Sequence, residues 1–376
     1  MTIVILAVVF INMLFLPSVL GSFLQNANQQ DIDYNGHMVI HPRTDERFIE
    51  NATEVSQKIG GIPGVIGVTE RLTDPVIITH QDRVVSLGVN GIDPLNEKTV
   101  TKLDMGIVRG KFLDESDTDS IVIGRWLAGD KKKNEEDELF YSLRGVDVGD
   151  SLGLTFNNGV TKNYRIKGIL STGDDAIDNN AYVNFREIAA LTGTSDEASS
   201  INIRLSPTIP ANNFKLTLMK YGIQQRIRTW NENAVLLQQQ VGGTFVILGS
   251  VSTIASLFIS IIIMFVVVYI NTNNKRKQIG IIKAIGVDRD IIANSYVFQV
   301  IIFAICGILA GLLLFLSMVF LMTVNPIITP NGPLIPVLDI GAIILAAASL
   351  FIASIVAGYI PAWNTAKLEI LDAMKG

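Results

Sequence analysis

Two histidines four residues apart, His37 and His41, are the first pair that could do chemistry. On a strand, positions i and i+4 share a face, so the two imidazoles would begin a metal site. Zinc takes further protein ligands, and none is evident. His80 is distant in sequence, and the single cysteine, Cys306, lies inside an apolar run. Sheet-surface histidines and no metal are therefore expected, and one cysteine allows no disulfide within the chain. The segment from Gly106 to Phe112 has the outline of a phosphate loop. Such a loop needs four residues between its glycines, then Lys and Ser or Thr. Here three residues separate Gly106 from Gly110, and Phe112 follows Lys111. No nucleotide-binding, cofactor-binding or catalytic residue set is expected. The charge run 130–138 mixes both signs and reads as a solvated loop. Asn51-Ala52-Thr53 is a glycosylation triplet of a kind that also arises by chance.

The densest signal lies at 275–292. Lys275, Arg276 and Lys277 open it, and Ile279, Ile282 and Ile285 follow at a spacing that shares one face of a short helix. Gly286 is placed to stop that helix, and Asp288 to cap the next. The spacing predicts a helix-turn-helix elbow. Its basic start is also what the cytoplasmic flank of a membrane helix requires.

That elbow sits between apolar blocks, which define the class. Hydrophobic residues make up 49% of the 376 positions and charged residues 17%, against about 25% charged in an ordinary soluble domain. The apolar residues gather at 3–24, 241–270, 297–324 and 338–360. Each block can cross a hydrocarbon core of about 30 Å, which takes about 20 helical residues. A signal peptide is the alternative for 3–24. The run lacks a charged lead and a small-residue cleavage pattern, which favours a retained helix. Five Lys or Arg lie in 271–295, none in 325–337, and Lys367 and Lys375 in the tail. The 271–295 loop and the tail therefore face the cytoplasm, and 26–240 lies outside.

The outside segment holds 23 basic and 30 acidic side chains, and the whole chain carries −5, which argues against nucleic acid. A strand at 37–41, a helix over 45–59 with Phe48, Ala52, Val55 and Ile59 on one side, and a strand at 64–71 form one β-α-β unit. A second spans strand 200–205, helix 211–221 and strand 223–230. Together they predict a four-stranded sheet with two helices, built from about 31–91 and 199–230. Short β runs at 120–124, 151–156, 164–170 and 181–184 predict an inserted β-rich subdomain over about 92–198. From Asn231 the pattern is helical into the second membrane block, a run of about 40 residues or about 60 Å. The expected fold is an α-helical membrane protein with four transmembrane helices. A large extracytoplasmic α+β domain of two subdomains is inserted between helices 1 and 2. The expected boundaries are helix 1 at 1–25, external domain 26–240, helix 2 at 241–270, coupling loop 271–295, helix 3 at 296–324, external loop 325–337, helix 4 at 338–360 and tail 361–376.

The segment Lys277-Gln278-Ile279-Gly280-Ile281-Ile282-Lys283-Ala284-Ile285-Gly286, continued to Ile292, resembles the R-E-I-G-I-x-x-A-x-G-A-x-x-x-x-I stretch of ABC-transporter permeases of the MacB/FtsX/LolC-LolE class. Pro361, Ala362, Ala366, Leu368, Ala373 and Met374 are similar to that class's ending. Met105–Leu113, 121–124, 148–150 and 164–170 are similar to its periplasmic core, the MacB-like domain. Gln278 replaces the family's Glu, Ile370 its usual Pro, and Trp363-Asn364 its basic residues. The family's cytoplasmic segment ahead of the first membrane helix has no counterpart here. A late start and a member lacking it are both open readings. The resemblance implies a permease subunit that dimerises with a like or unlike permease and binds a separate ABC-type ATPase, which holds ATP and Mg. It implies mechanotransmission to the external domain, and a lipoprotein, peptide, antibiotic or envelope component as what that domain handles. It implies an ATPase-coupling role for Gly280, Ile281, Lys283, Ala284, Gly286, Asp288 and Arg289. A different class of function, a membrane-anchored regulator or scaffold binding an envelope protein, stands beside it; an adjacent gene with a P-loop and ABC signature would favour transport.

Overall fold

The computed structural model describes residues 1–129, 142–240, 242–329 and 332–366. The charge run at 130–138 and the tail from Lys367 lie outside them. Two compact units result. The membrane unit holds Met1–Phe23, Gln238–Ile328 and the chain from Pro333; the extracytoplasmic unit holds Leu24–Leu237 with Thr329–Gly332.

In the membrane unit the apolar blocks are helices: Thr2–Asn35, Gly242–Asn274, Arg289–Val324 and Ile340–Ala366. Each contains a stretch apolar and long enough to cross a bilayer. Without a hydrophobic drive between helices in lipid, close backbone approach holds them. Gly307 and Gly311 supply it. A Cβ on Gly307 would lie 2.6 Å from the Leu6 Cβ, and one on Gly311 would lie 2.9 Å from the Ala7 carbonyl oxygen. Asn12, mid-span in the first apolar block, accepts hydrogen bonds from Ser252 at 2.8 Å and Ser256 at 3.3 Å. Ser18 and Ser22 accept from the backbone N–H groups of Val337 and Ile335. The expected 40-residue helical run crosses Val241, outside the described residues; Trp230–Gln240 and Gly242–Asn274 are the described helices on either side.

The extracytoplasmic unit is mixed α/β. Its strands are β1 (Met38–His41), β2 (Ile49–Glu50), β3 (Val65–His80), β4 (Arg83–Ile92), β5 (Ile107–Gly110) and β6 (Ser120–Gly124). After these come β7 (Ser151–Phe156), β8 (Thr161–Leu170), β9 (Ala181–Asn184), β10 (Glu197–Ala198), β11 (Ser200–Leu205) and β12 (Arg226–Thr229). One sheet runs β12-β1-β11-β3, all antiparallel. Helices Ala52–Gly60 and Ala211–Lys220 belong to its core, where Ile59, Phe214 and Leu218 meet Met38, Ile40, Ile201 and Ile203. Beyond Arg71 the same strand β3 enters a closed barrel, β3-β4-β9-β6-β8-β7 and back to β3. Closure removes the strand edges that would otherwise pair with other chains. Leu152, Leu154, Tyr164, Ile166 and Ile78 fill its interior.

Three expectations are corrected. The second strand does not stop at 71; it runs to His80 and is shared by both subdomains. Strand β4 pairs with the barrel half of β3 and with β9, not with the sheet–helix subdomain. The helix expected over 45–59 starts at Ala52, because Ile49 is drawn into a short pairing with Ala198 and Asn51 turns in a left-handed conformation. Phe48 accordingly packs against the barrel core.

The first helix also runs past its apolar block, ending at Asn35. Gly36, at φ 80°, turns the chain, and a Cβ there would lie 2.7 Å from the Ile203 carbonyl oxygen. The helix's last carbonyls meet cations and amides, which suits its partly negative end. Arg71 donates to the Tyr34 carbonyl at 2.6 Å and to Asn35 Oδ1 at 3.1 Å. Arg204 donates to the Ile32 carbonyl at 2.6 Å, and the Asn202 amide to the Asn35 carbonyl at 3.0 Å. Lys102 pairs with Asp33 at 2.9 Å. Arg71 also pairs with Glu97, which is fully buried and accepts from Thr69 and Thr101. Burial alone would lower the Arg71 pKa; attraction to and hydrogen bonding with Glu97 outweigh it and hold it above the ordinary range.

Removing one partner of a buried pair leaves an uncompensated charge, at a cost of about 3–5 kcal/mol. Glu97→Ala is thus expected to lower the unfolding free energy of the extracytoplasmic unit by that amount. Arg71→Met with Glu97→Leu together should cost less than either change alone. Thermal unfolding followed by circular dichroism checks this; additive losses in the double variant would contradict it.

Candidate functional site

The elbow is built by local backbone chemistry. Helix Arg276–Ala284 ends in a paired cap. The Gly286 N–H donates to the Lys283 carbonyl at 3.1 Å and the Val287 N–H to the Ile282 carbonyl at 3.3 Å. This is the Schellman arrangement, whose turn residue takes a positive φ. Gly286 sits at φ 95°. A Cβ there would meet nothing within 4 Å, so the demand for glycine comes from backbone conformation alone.

Asp288 occupies the N-cap position of helix Arg289–Val324, with extended backbone, but its side chain makes no capping hydrogen bond. The side-chain cap expected of it is not formed; its backbone carbonyl accepts the first intrahelical bond, from the Ile292 N–H at 3.4 Å. The apolar face also differs from expectation. Ile279 and Gly280 are buried, whereas Ile281 is 58% exposed, Ile282 40% and Ile285 76%. Ile281 and Ile285 are four apart and so stand on one side of the helix. Ala284, Gly286, Asp288 and Arg289 are exposed, and Lys283 is half-buried. Burial, with the Arg289 charge adding to it, lowers the Lys283 pKa from its ordinary value. The structure therefore brings Ile281, Lys283, Ala284, Gly286, Asp288 and Arg289 onto one exposed turn. Gly280 is the exception, turned inward.

Two features of this turn are not explained by its own stability. Arg276 lies in the first helical turn, with Lys275 at the cap, where the helix end is partly positive and cations are disfavoured. Three apolar side chains also stand exposed among the basic ones. Both suit a surface made to meet something else.

The other residues weighed in the sequence lie elsewhere. His37 and His41 flank or occupy β1, and the His37 Nδ1 accepts from the Leu205 N–H at 3.3 Å. Burial lowers both pKa values, with Arg204 adding at His37 and Arg226 and Arg228 at His41. The 107–110 segment is strand β5, and a Cβ on Gly110 would lie 2.2 Å from the Lys167 carbonyl oxygen. That glycine serves close strand approach. Sequence reasoning missed the Arg71, Glu97, Lys102 and Arg204 set around the end of the first helix. No spacing signal marks it, because its members come from two strands, a helix and a loop.

Four apolar helices, an α+β domain inserted after the first and a basic helix-turn-helix between the second and third are the architecture against which the comparisons stand. Residues 250–370 match the family of FtsX-like permease C-terminal domains. The chain is 20% identical over 324 residues to the macrolide export ATP-binding/permease protein MacB of Shewanella oneidensis, which covers 83% of this chain and 47% of that protein. It is 28% identical over 152 residues to the MacB of Agrobacterium fabrum, covering 40% of this chain and 21% of that one. The chain thus spans about half the length of the first of these relatives. Among solved structures, the periplasmic region of MacB from Actinobacillus actinomycetemcomitans aligns with a TM-score of 0.39 at 15% identity, over 57% of this chain and 98% of that one. The extracellular domain of YknZ, a noncanonic ABC-type transporter from Gram-positive bacteria, aligns with a TM-score of 0.36 at 15% identity, over 51% of this chain and 98% of that one. Residues 250–370 thus resemble an FtsX-like permease C-terminal domain and most of the chain resembles MacB; the chain is a multi-pass membrane protein with an extracytoplasmic domain.

Single cysteines placed in a Cys306→Ser background test this topology. A cysteine at Asn157, exposed next to β7, should react with an impermeant maleimide on intact cells. One at Asn273, exposed at the end of helix Gly242–Asn274, should react only after permeabilisation. Labelling of Asn273→Cys on intact cells would invert the orientation.

Proposed function

We propose that the chain is the permease component of an ABC transporter acting by mechanotransmission. An ABC-type ATPase on a partner subunit, holding ATP and Mg, seats on the turn 281–289. A second permease subunit, like or unlike, completes the membrane part. The one observation that carries the reading is the exposed Ile281, Ile282 and Ile285 on a basic cytoplasmic turn. An apolar centre with a charged rim is how a protein partner is received.

In this reading ATP-driven movement of the ATPase shifts the turn, and the external domain changes shape in response. The domain handles a lipoprotein, peptide, antibiotic or envelope component. The relatives named for macrolide export support an antibiotic among these. The chain itself contributes no nucleotide site, and nucleic acid has no part. The likeness to FtsX-like permeases over 250–370 and to MacB over most of the chain favours this over a membrane-anchored regulator or scaffold.

Three substitutions test the seat. Gly286→Val forces a β-branched residue into a positive φ, a backbone strain of order 1–3 kcal/mol. Ala284→Glu puts a carboxylate at the buried contact. Both should abolish ATPase co-purification and substrate-stimulated hydrolysis while the protein still inserts in the membrane. Lys283→Ala, at a rim charge worth about 0–1 kcal/mol, should change hydrolysis no more than about fivefold. Full ATPase binding and activity in both severe variants would reduce the turn to a charged membrane flank.

A further inference from the structure

A cavity of about 450 Å³ opens in the extracytoplasmic unit, far along the chain from the elbow. Three helices and a strand line it. Ser56 comes from helix Ala52–Gly60 of the sheet–helix subdomain, and Glu70 from β3, one residue before that strand passes into the barrel. Asp93 and Asn96 come from the start of helix Pro94–Val100, and Phe185 and Arg186 from the start of helix Phe185–Thr192. Glu115 completes the rim. The volume is in the range of small-ligand clefts, about 300–1,000 Å³, and clefts where two folded parts meet are a common place for them.

The lining is unbalanced in charge. It holds three carboxylates, Glu70, Asp93 and Glu115, against one guanidinium, Arg186. Asp93 is committed to the fold, since its carboxylate caps helix Pro94–Val100 by accepting from Leu95 and Asn96 N–H. Glu70 is half-buried and is not so committed. Burial raises its pKa, the Ser56 hydroxyl partly offsets this, and Asp196 and Asp93 push it further up. Among the described residues no Lys or Arg forms an ion pair with it. A half-buried carboxylate facing other carboxylates lacks the positive partner that buried charge calls for. Phe185, half-buried, gives the cavity an apolar wall.

We propose that this cleft binds a primary ammonium group on a short aliphatic stem, the chemistry of a lysine side chain, with the ammonium at Glu70 and the stem along Phe185. Glu115 adds charge at the entrance, and Arg186 sets the limit on how many positive groups the ligand brings. The site stands independently of the ATPase reading. It would hold whether or not the elbow meets an ATPase.

The test uses the full chain in detergent, titrated by calorimetry with the amidated, N-acetylated tripeptide Gly-Lys-Gly and with its acetyl-lysine counterpart. The lysine peptide should bind one to one, and the acetyl-lysine peptide should bind about tenfold weaker or not at all. Glu70→Gln should remove the difference between the two peptides, and its melting temperature without ligand should not fall, because it deletes a repelled charge. Butylamine, carried in a parallel arm, tells a free amine from a lysine held in a chain: binding as tight as the peptide's assigns the site to small amines. If Glu70→Gln fails to fold, Asn96→Lys, at an exposed position on the rim, serves instead and should abolish lysine-peptide binding. Equal binding of the two peptides by the wild type, absence of binding by both, or an unchanged lysine preference in Glu70→Gln or Asn96→Lys would overturn the proposal.

Discussion

The extracytoplasmic unit depends on one buried ion pair. Arg71 is the residue at which β3 changes hands: its backbone faces Ser200 of the sheet and Ile92 of the barrel hairpin. Its side chain holds Glu97, and through Glu97 the helix Pro94–Val100, and it caps the carbonyl end of the first helix at Tyr34. Two helices therefore meet at one guanidinium carried by the shared strand. A planar group with five donors in a fixed fork can serve more acceptors at once, and in a more defined geometry, than the three donors of an ammonium. Burying such a pair costs desolvation, and a well-packed apolar pair of the same volume is often as stable. What the ion pair adds is direction: it fixes where the helix ends and where the shared strand crosses.

The membrane unit is governed by a different constraint, the absence of water to satisfy backbone groups. That forces helices, and the glycines at 307 and 311 then let two of them approach to backbone contact. Polar side chains within the spans find partners, as Asn12 does with Ser252 and Ser256. The cytoplasmic elbow follows the opposite logic. Lys275 and Arg276 sit at the disfavoured start of a short helix, and its isoleucines stand exposed. The basic start meets the requirement of a cytoplasmic membrane flank, whereas the exposed isoleucines do not lower the energy of the isolated chain; in the proposed function they are the apolar centre of a seat for a partner.

Much of this was legible in the sequence, for identifiable reasons. Runs of about 20 apolar residues are a signal no local context overrides. The Gly286 turn was legible because a helix stop of this kind needs only a glycine at the right offset. That Ile279 and Gly280 are buried while Ile282 and Ile285 stand exposed was not legible, because the face that a short helix buries depends on what it packs against. The end of the first helix at Asn35 was hidden, since residues 25–35 are polar and their helix is fixed by cations far away in sequence. Strand β3 continues past Arg71 through Asp74-Pro75, a pair that favours turns. Proline is tolerated there: β11 has ended at Arg71 and β7 begins at Val76, so on that edge no partner requires the missing N–H. The Arg71–Glu97 pair could not be read at all, because nothing in the spacing of 71 and 97 distinguishes it from other charged pairs.

The central claim is that the turn around Ile285 is a seat for an ATPase. A photo-crosslinking amino acid placed at Ile285, with one at the exposed membrane-span position Phe298 as the lipid-facing control, tests it most directly in purified membranes. The account predicts that the Ile285 probe crosslinks to an ATP-hydrolysing polypeptide, in a yield that changes between ATP and ADP, while the Phe298 probe does not. Crosslinking of the Ile285 probe to lipid alone, as at Phe298, or with a yield indifferent to nucleotide, would contradict it.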